Sequence, residues 1–169
     1  MCTENPVLSP EREVLTWETF GVAARDLAQQ VYDSGFRPDG VVAIARGGLV
    51  PGGAVAYALG TKGVGTLNVE LYTDIGQTLE YPSVLPPLMD TSDLPGAHVL
   101  VVDDVADSGR TLALVMEMLA AKGAEARAAV LFTTPRSSVR PGYSWKDTDL
   151  WITFPWSAQP AIGTTTPGD

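Results

Sequence analysis

The sequence predicts an α/β fold, a doubly wound and mainly parallel sheet with helices on both faces and a small C-terminal hood. Three observations lead there. Apolar runs at 41–45, 99–102 and 126–133 read as buried strands. Stretches with apolar residues at helical spacing alternate with them, the pattern of a parallel sheet. Two loops rich in glycine or hydroxyl residues each follow one of these runs, and an open α/β sheet binds ligands at the carboxyl ends of its strands.

Taken in order, residues 1–12 read as an arm. Trp17, Phe20, Ala24, Leu27 and Val31 recur at helical spacing, with Thr16 as N-cap, Glu18 in the first turn and Gly35 as the stop. After strand 41–45, a helix is expected from Pro51 to Ala58 and a strand over 64–71. Periodicity then stops. Residues 72–96 carry Pro82, Pro86, Pro87 and Pro95, and a connection this long reads as a flexible lid. Beyond strand 99–102, Leu112, Val115, Met116 and Leu119 form a helical stripe ending at Gly123. Strand 126–133 and a short strand at 150–154 follow, with the hood over 134–156 and a tail over 157–169 whose last residues, 163–169, read as disordered. The domain proper is read as 13–156.

A chain of 169 residues suits one domain. With 11 Lys and Arg against 20 Asp and Glu, the net charge of −9 argues against nucleic-acid binding, which needs clustered cations. A small phosphorylated ligand needs only a local nest of amides. The single cysteine, Cys2, forms neither an internal disulfide nor a zinc set and reads as incidental. No apolar run has membrane-spanning length and the N-terminus lacks a signal pattern, so no membrane partner and a cytoplasmic location are expected.

The most informative segment runs from Val99 to Thr111, with sequence VLVVDDVADSGRT. An apolar strand delivers Asp103 and Asp104 to the sheet edge. Asp107, Ser108, Gly109, Arg110 and Thr111 then make a turn into a helix, where backbone N–H groups and hydroxyls can surround a phosphate. The paired carboxylates would repel that phosphate and suit ribose hydroxyls, since an ionised carboxylate only accepts hydrogen bonds. The rival readings fail on context. An isoprenoid-synthase aspartate motif belongs on a helix. A Walker B strand needs a phosphate loop that is absent. An EF-hand needs Glu where Leu114 stands. An acidic surface turn would leave the hydroxyl-glycine pattern accidental. The second loop, Arg46-Gly47-Gly48, pairs a charged donor fork with two residues that let the backbone approach a ligand.

The Asp103–Thr111 segment resembles the phosphoribosyl pyrophosphate motif of type I phosphoribosyltransferases. Ala45–Gly52 is similar to that family's pyrophosphate loop, and Leu150–Trp156 to the base-binding segment of its xanthine-guanine and hypoxanthine-guanine members. The resemblance spans 16–156. It implies the type I phosphoribosyltransferase fold and transfer of a 5-phosphoribosyl group from Mg²⁺-bound phosphoribosyl pyrophosphate to a 6-oxopurine (guanine, xanthine or hypoxanthine) in purine salvage. It implies that Asp103 and Asp104 hold the ribose and contact the metal indirectly, and that Asp107 is the general base. Ser108, Gly109, Arg110 and Thr111 complete the phosphoribosyl site, and Arg46, Gly47 and Gly48 take the pyrophosphate. Trp151 stacks on the base, Ile152 meets its edge through its backbone, and Tyr72 sits on the lid. A cis peptide at Ala45–Arg46 is implied for the liganded loop, with relaxation to trans left open without ligand, and a homodimer or homotetramer is implied for the whole. The sequence departs from the family at three places: Leu71 replaces a lid serine, Ser157 a frequent aspartate, and Thr134 the lysine that reads the 6-oxo group. Whether Thr134, Arg136 or a bridging water substitutes for that lysine is left open.

The alternative is a regulator of the same fold that senses phosphoribosyl pyrophosphate or a nucleotide, or a transferase for another nucleobase. His98 reads as structural, Trp17 and Phe20 as core or a subunit contact, and Met116 and Met118 as packing. Arg136, Arg140 and Lys146 read as solvated hood residues.

Overall fold

The computed structural model describes residues 11–72, 78–84 and 92–163. Helix α1 (Trp17–Asp33) starts where Thr16 Oγ1 accepts the Thr19 N–H at 3.2 Å, and ends ahead of Gly35, whose φ of +79° closes the turn. Its buried stripe is Phe20, Ala23, Ala24, Leu27, Ala28 and Val31. Helix α2 (Leu49–Leu59) is longer than expected because Leu49 and Val50 join its first turn, and it stops at Gly60 in the left-handed region. Helix α3 (Arg110–Ala121) buries Leu112, Val115 and Leu119.

The strands β2 (Gly40–Ala45), β3 (Gly63–Tyr72), β5 (His98–Ala106) and β6 (Glu125–Thr133) match the apolar runs, and β8 (Trp151–Thr153) is the short terminal one. Three further strands were not foreseen. β4 (Thr78–Val84) lies inside the stretch read as lid and pairs antiparallel with β3; β7 (Tyr143–Asp147) pairs parallel with β6; β1 (Arg12–Val14) pairs parallel with β8. The first carries Pro82, tolerated at a sheet edge. The second has the polar composition of an edge strand, and the third is too short for periodicity to register. The rest of the stretch read as lid, apart from the residues from Ser92 onward, lies outside the described residues, as do the side chain of Tyr72, the first ten residues of the arm and the last six of the tail.

The main sheet has the order β4-β3-β2-β5-β6-β7. From β2 the chain crosses through α2 to β3 on one side; from β5 it crosses through α3 to β6 on the other. The order therefore reverses between β2 and β5, which pair parallel from Gly40↔Val99 to Ala43↔Val102. One core packs α1 and α2 against Val41, Leu100, Val102 and Leu131; the other packs α3 against Val42, Val99, Val101 and Val130. This is the doubly wound arrangement, with the crevice at its switch point.

The hood differs from expectation in composition. Its two-stranded sheet combines β8 with the N-terminal β1, so Arg12 belongs to it and not to a loose arm. Aromatic side chains fasten it to the core. Trp156 stacks on Phe154 at 5.0 Å and meets Phe20 and Trp17 at 5.4 and 6.1 Å, while Phe154 meets the fully buried Phe132 at 5.9 Å. Lys146 Nζ also reaches Glu13 Oε1 at 2.8 Å, tying β1 to β7. Among the described residues no helix is long and apolar enough to cross a membrane.

Phe132→Ala is expected to lower unfolding free energy by about 3–5 kcal/mol, since it empties the centre of this aromatic packing. Denaturant titration followed by tryptophan fluorescence measures it.

Candidate active site

Both predicted loops open at the carboxyl ends of β2 and β5. The first turns from Ala45 into α2, and its Ala45–Arg46 peptide is cis. Helix α2 has no side-chain cap and no acidic residue in its first turn, but most of its leading N–H groups are already used: Gly48 donates to the Ile44 carbonyl at 2.8 Å, Leu49 to the Arg46 carbonyl at 3.1 Å, and Pro51 has none. Arg46 is exposed beside them. Gly47 is required by contact with the second loop: a Cβ there would lie 2.5 Å from Asp104 Cγ and 2.7 Å from Oδ1. Gly48 is equally confined, since its Cβ would fall 2.5 Å from the Val102 carbonyl oxygen.

The strand β5 runs further than its apolar residues, through Asp103, Asp104, Val105 and Ala106. Its pairing with β6 carries it on, to Val105↔Phe132 and Ala106↔Thr133, so the two carboxylates sit within the ladder and not beyond it. The Asp104 N–H donates to Asp103 Oδ1 at 2.9 Å. Burial pushes the Asp103 carboxyl well above the usual carboxylate range, and the neighbouring Asp104 charge adds to the shift. Asp104 is also raised by burial, opposed by backbone N–H groups and by hydrogen bonds from the Asp103 and Trp156 side chains.

Asp107 to Thr111 form a cradle in front of α3. Gly109 has φ of +78°, and a side chain there would strike Ser137 Oγ at 2.7 Å and the Val139 nitrogen at 2.8 Å. The loop carrying those residues buttresses the cradle: Ser138 donates to the Ser108 carbonyl through its N–H at 3.0 Å and its hydroxyl at 2.9 Å. Like α2, α3 lacks a side-chain cap. A concavity of ≈ 180 Å³ results, bounded by Asp103, Asp107, Ser108, Gly109 and Thr111. Arg110 is exposed at the helix start.

A second cavity of ≈ 360 Å³ lies under the hood, walled by Trp151, Ile152, Thr134, Arg136 and Asp107, with Arg12 contributed by β1. Trp151 is 70% exposed, whereas Phe154 is buried, so the packing role falls to Phe154 and Trp156 and leaves the Trp151 ring facing outward. The Thr134 hydroxyl, considered as a possible reader of the base, donates instead to the Asp107 carbonyl at 2.8 Å and lies 3.4 Å from Asp107 Oδ1. Arg136, expected to be solvated, holds Asp107 Oδ1 through Nε at 2.6 Å. His98, as expected, is structural, 3.4 Å from Glu125 at the start of β5. Sequence reasoning missed Arg12, which carries no periodic signal, and the Ser137–Ser138 buttress.

Residues 11–161 match the family described as the phosphoribosyl transferase domain. The chain belongs to that family. It is 33% identical over 147 residues to the xanthine-guanine phosphoribosyltransferase of Nitratidesulfovibrio vulgaris, an alignment covering 86% of this chain and 84% of the relative. A purine phosphoribosyltransferase from Pyrococcus horikoshii superposes with a TM-score of 0.76 at 32% identity, over 91% of this chain and 99% of that one. The xanthine-guanine-hypoxanthine phosphoribosyltransferase of Helicobacter pylori does so with 0.73 at 25% identity, over 87% and 94%.

In this phosphoribosyltransferase the buried acidic pair opposes folding when it is ionised. Both carboxyls have folded-state pKa values above their unfolded ones, so the folded chain binds more protons. Stability contributed by the protonated pair is present below the ordinary carboxylate pKa and is lost as pH rises through the raised values. Asp103→Asn is therefore expected to raise the melting temperature of the ligand-free protein at pH 7 by a few degrees. The gain should shrink toward pH 4, which thermal melts of both proteins across that range will show.

Proposed function

We propose that this phosphoribosyltransferase moves the 5-phosphoribosyl group from magnesium phosphoribosyl pyrophosphate to a ring nitrogen of a 6-oxopurine, releasing pyrophosphate. The observation that carries the reading is the place of Asp107. It borders both the cradle in front of α3 and the cavity beneath Trp151, where phosphoribosyl and base must meet. The relatives named above, which are purine phosphoribosyltransferases, support the substrate class.

On this reading the cradle of Ser108, Gly109, Arg110 and Thr111 binds the 5-phosphate through amides and hydroxyls at the start of α3. Arg46 with the Gly47 amide takes the pyrophosphate, while the Gly48 N–H, expected to share in this, is held by the Ile44 carbonyl at 2.8 Å; Asp103 and Asp104 accept hydrogen bonds from the ribose hydroxyls, and Trp151 stacks on the purine. The bond from the anomeric carbon to pyrophosphate oxygen breaks, and a bond to the purine nitrogen forms. The nitrogen's proton goes to Asp107, whose Oδ1 is occupied by Arg136, so Oδ2 is the accepting atom.

Among the described residues no group of three or more His, Cys, Asp or Glu is placed to hold a metal. Two adjacent carboxylates do fit a magnesium ion carried mainly by substrate oxygens and water, the mode that ion favours. Their charge is disfavoured by burial and is relieved by a nearby cation. Bound there, magnesium would neutralise charge on the departing pyrophosphate. The protein is further read as a cytoplasmic homo-oligomer, dimer or tetramer. The exposed Val22 and Tyr57 on α1 and α2 support an assembly, as apolar surface it would cover.

With magnesium, phosphoribosyl pyrophosphate and single nucleobases, nucleotide formation is expected from guanine, xanthine or hypoxanthine and not from pyrimidines. No product from any base would favour a sensing role for the fold. Asp107→Asn should lower kcat at least 100-fold while the KM for phosphoribosyl pyrophosphate moves little, because it removes the proton acceptor but keeps the side-chain shape.

Trp151→Ala should raise the KM for the base about tenfold and leave that for phosphoribosyl pyrophosphate nearly unchanged. Equal changes in both constants would remove the stacking role. Steady-state kinetics with each substrate varied in turn distinguishes the two.

A further inference from the structure

We infer that Arg12 is a specificity-determining residue of the base cavity and selects an anionic, twice-oxygenated purine over a neutral one. The inference rests on the transferase reading above and deepens it. In the parallel β1–β8 pair, Arg12 is in register with Trp151, and residues in register across parallel strands project to the same side. Both line the ≈ 360 Å³ cavity. A flat base laid on the Trp151 ring therefore presents an edge to the Arg12 guanidinium.

Charge supports the assignment. The cavity is lined by two guanidiniums, Arg12 and Arg136, and one carboxylate, Asp107. Arg136 is committed to Asp107 at 2.6 Å, and Arg12 has no ion pair among the described residues, so one positive charge remains. The charged groups on neighbouring elements are engaged elsewhere. Glu13 on β1 binds Lys146 from β7, and Asp147 accepts from the Thr133 hydroxyl. Glu11 precedes Arg12 in the chain, and Asp149 leads into β8; neither reaches it as an ion pair. The uncharged Thr134 cannot attract an anion, and its hydroxyl already bonds Asp107.

An always-protonated guanidinium with free donors favours a ligand edge that is both oxygenated and negative. Xanthine differs from hypoxanthine by a second oxo group and loses a ring proton more readily, close to neutral pH. The cavity chemistry therefore favours xanthine, increasingly as pH rises through that ionisation.

The experiment measures kcat/KM for xanthine and hypoxanthine from pH 6 to 9 with the full chain and its Arg12→Gln and Arg12→Lys variants. In the unsubstituted protein the xanthine-to-hypoxanthine ratio should rise with pH. Arg12→Gln should lower the ratio about tenfold, through the KM for xanthine, and flatten its pH dependence. Arg12→Lys should keep the pH dependence, since it keeps the charge. A ratio and pH trend unchanged by Arg12→Gln, or equal losses for both bases, would overturn the role of Arg12 while leaving the transferase standing. Arg12→Lys behaving as Arg12→Gln would overturn selection by charge. Absence of turnover with any base in the unsubstituted protein would overturn the transferase reading and this inference together.

Discussion

The carboxylate of Asp104 occupies the space where a side chain at position 47 would begin, so the two ligand loops touch with nothing between them. That contact depends on the sheet. β2 and β5 are adjacent and parallel, and the register Ala43↔Val102 brings their carboxyl ends to one level. The crossovers then leave on opposite sides, which sends α2 and α3 away from each other and lets both uncapped N-termini face the crevice. On the proposed reading a phosphate at the start of α3 and a pyrophosphate at the loop before α2 would be held by one scaffold, with little freedom to drift apart.

The hood is coupled to this scaffold through Trp156. Its ring packs on Phe154, Phe20 and Trp17, while its side chain hydrogen-bonds Asp104. The aromatic packing therefore links the wall of the base cavity to the acidic pair that borders the cradle. On the other side of the cavity, Thr134 and Arg136 both engage Asp107, and Ser138 engages Ser108. The loop after β6 acts as a brace for the turn that leads into α3. The Thr134 hydroxyl is thus used inward, on the protein, and the cations that line the cavity are Arg12 and Arg136.

The central strands were legible because each is buried on both faces and reads as a continuous apolar run, as in Val41–Ile44 and Val99–Val102. The binding loops were legible because their chemistry demands unusual residues at short range: glycines where backbone and carboxylate collide, and hydroxyls at a helix start. The outer strands were not. β4 and β7 lie at the two edges of the sheet, where proline, lysine and aspartate are tolerated. The extent of β5 was also hidden, since Asp103 and Asp104 are poor strand formers held in the ladder by pairing with β6. Arg12 was invisible for a different reason. Its place beside Trp151 comes from pairing across more than a hundred residues, and no local pattern encodes that.

An acidic protein with a net charge of −9 repels the anions it is built to bind, and the site must overcome this locally. On the proposed reading it does so at close range, where screening by salt is weakest: amides at the start of α3, Arg46 in the first loop, and Arg12 and Arg136 lining the cavity under Trp151. Among the described residues, burial disfavours the charges of Asp103 and Asp104, and they oppose folding until a ligand's hydroxyls or a cation meet them. Stability given up at the acidic pair thus becomes selectivity for a ligand that brings both hydroxyls and a counter-charge. A free phosphate ion brings neither, and so it gains nothing from that half of the site.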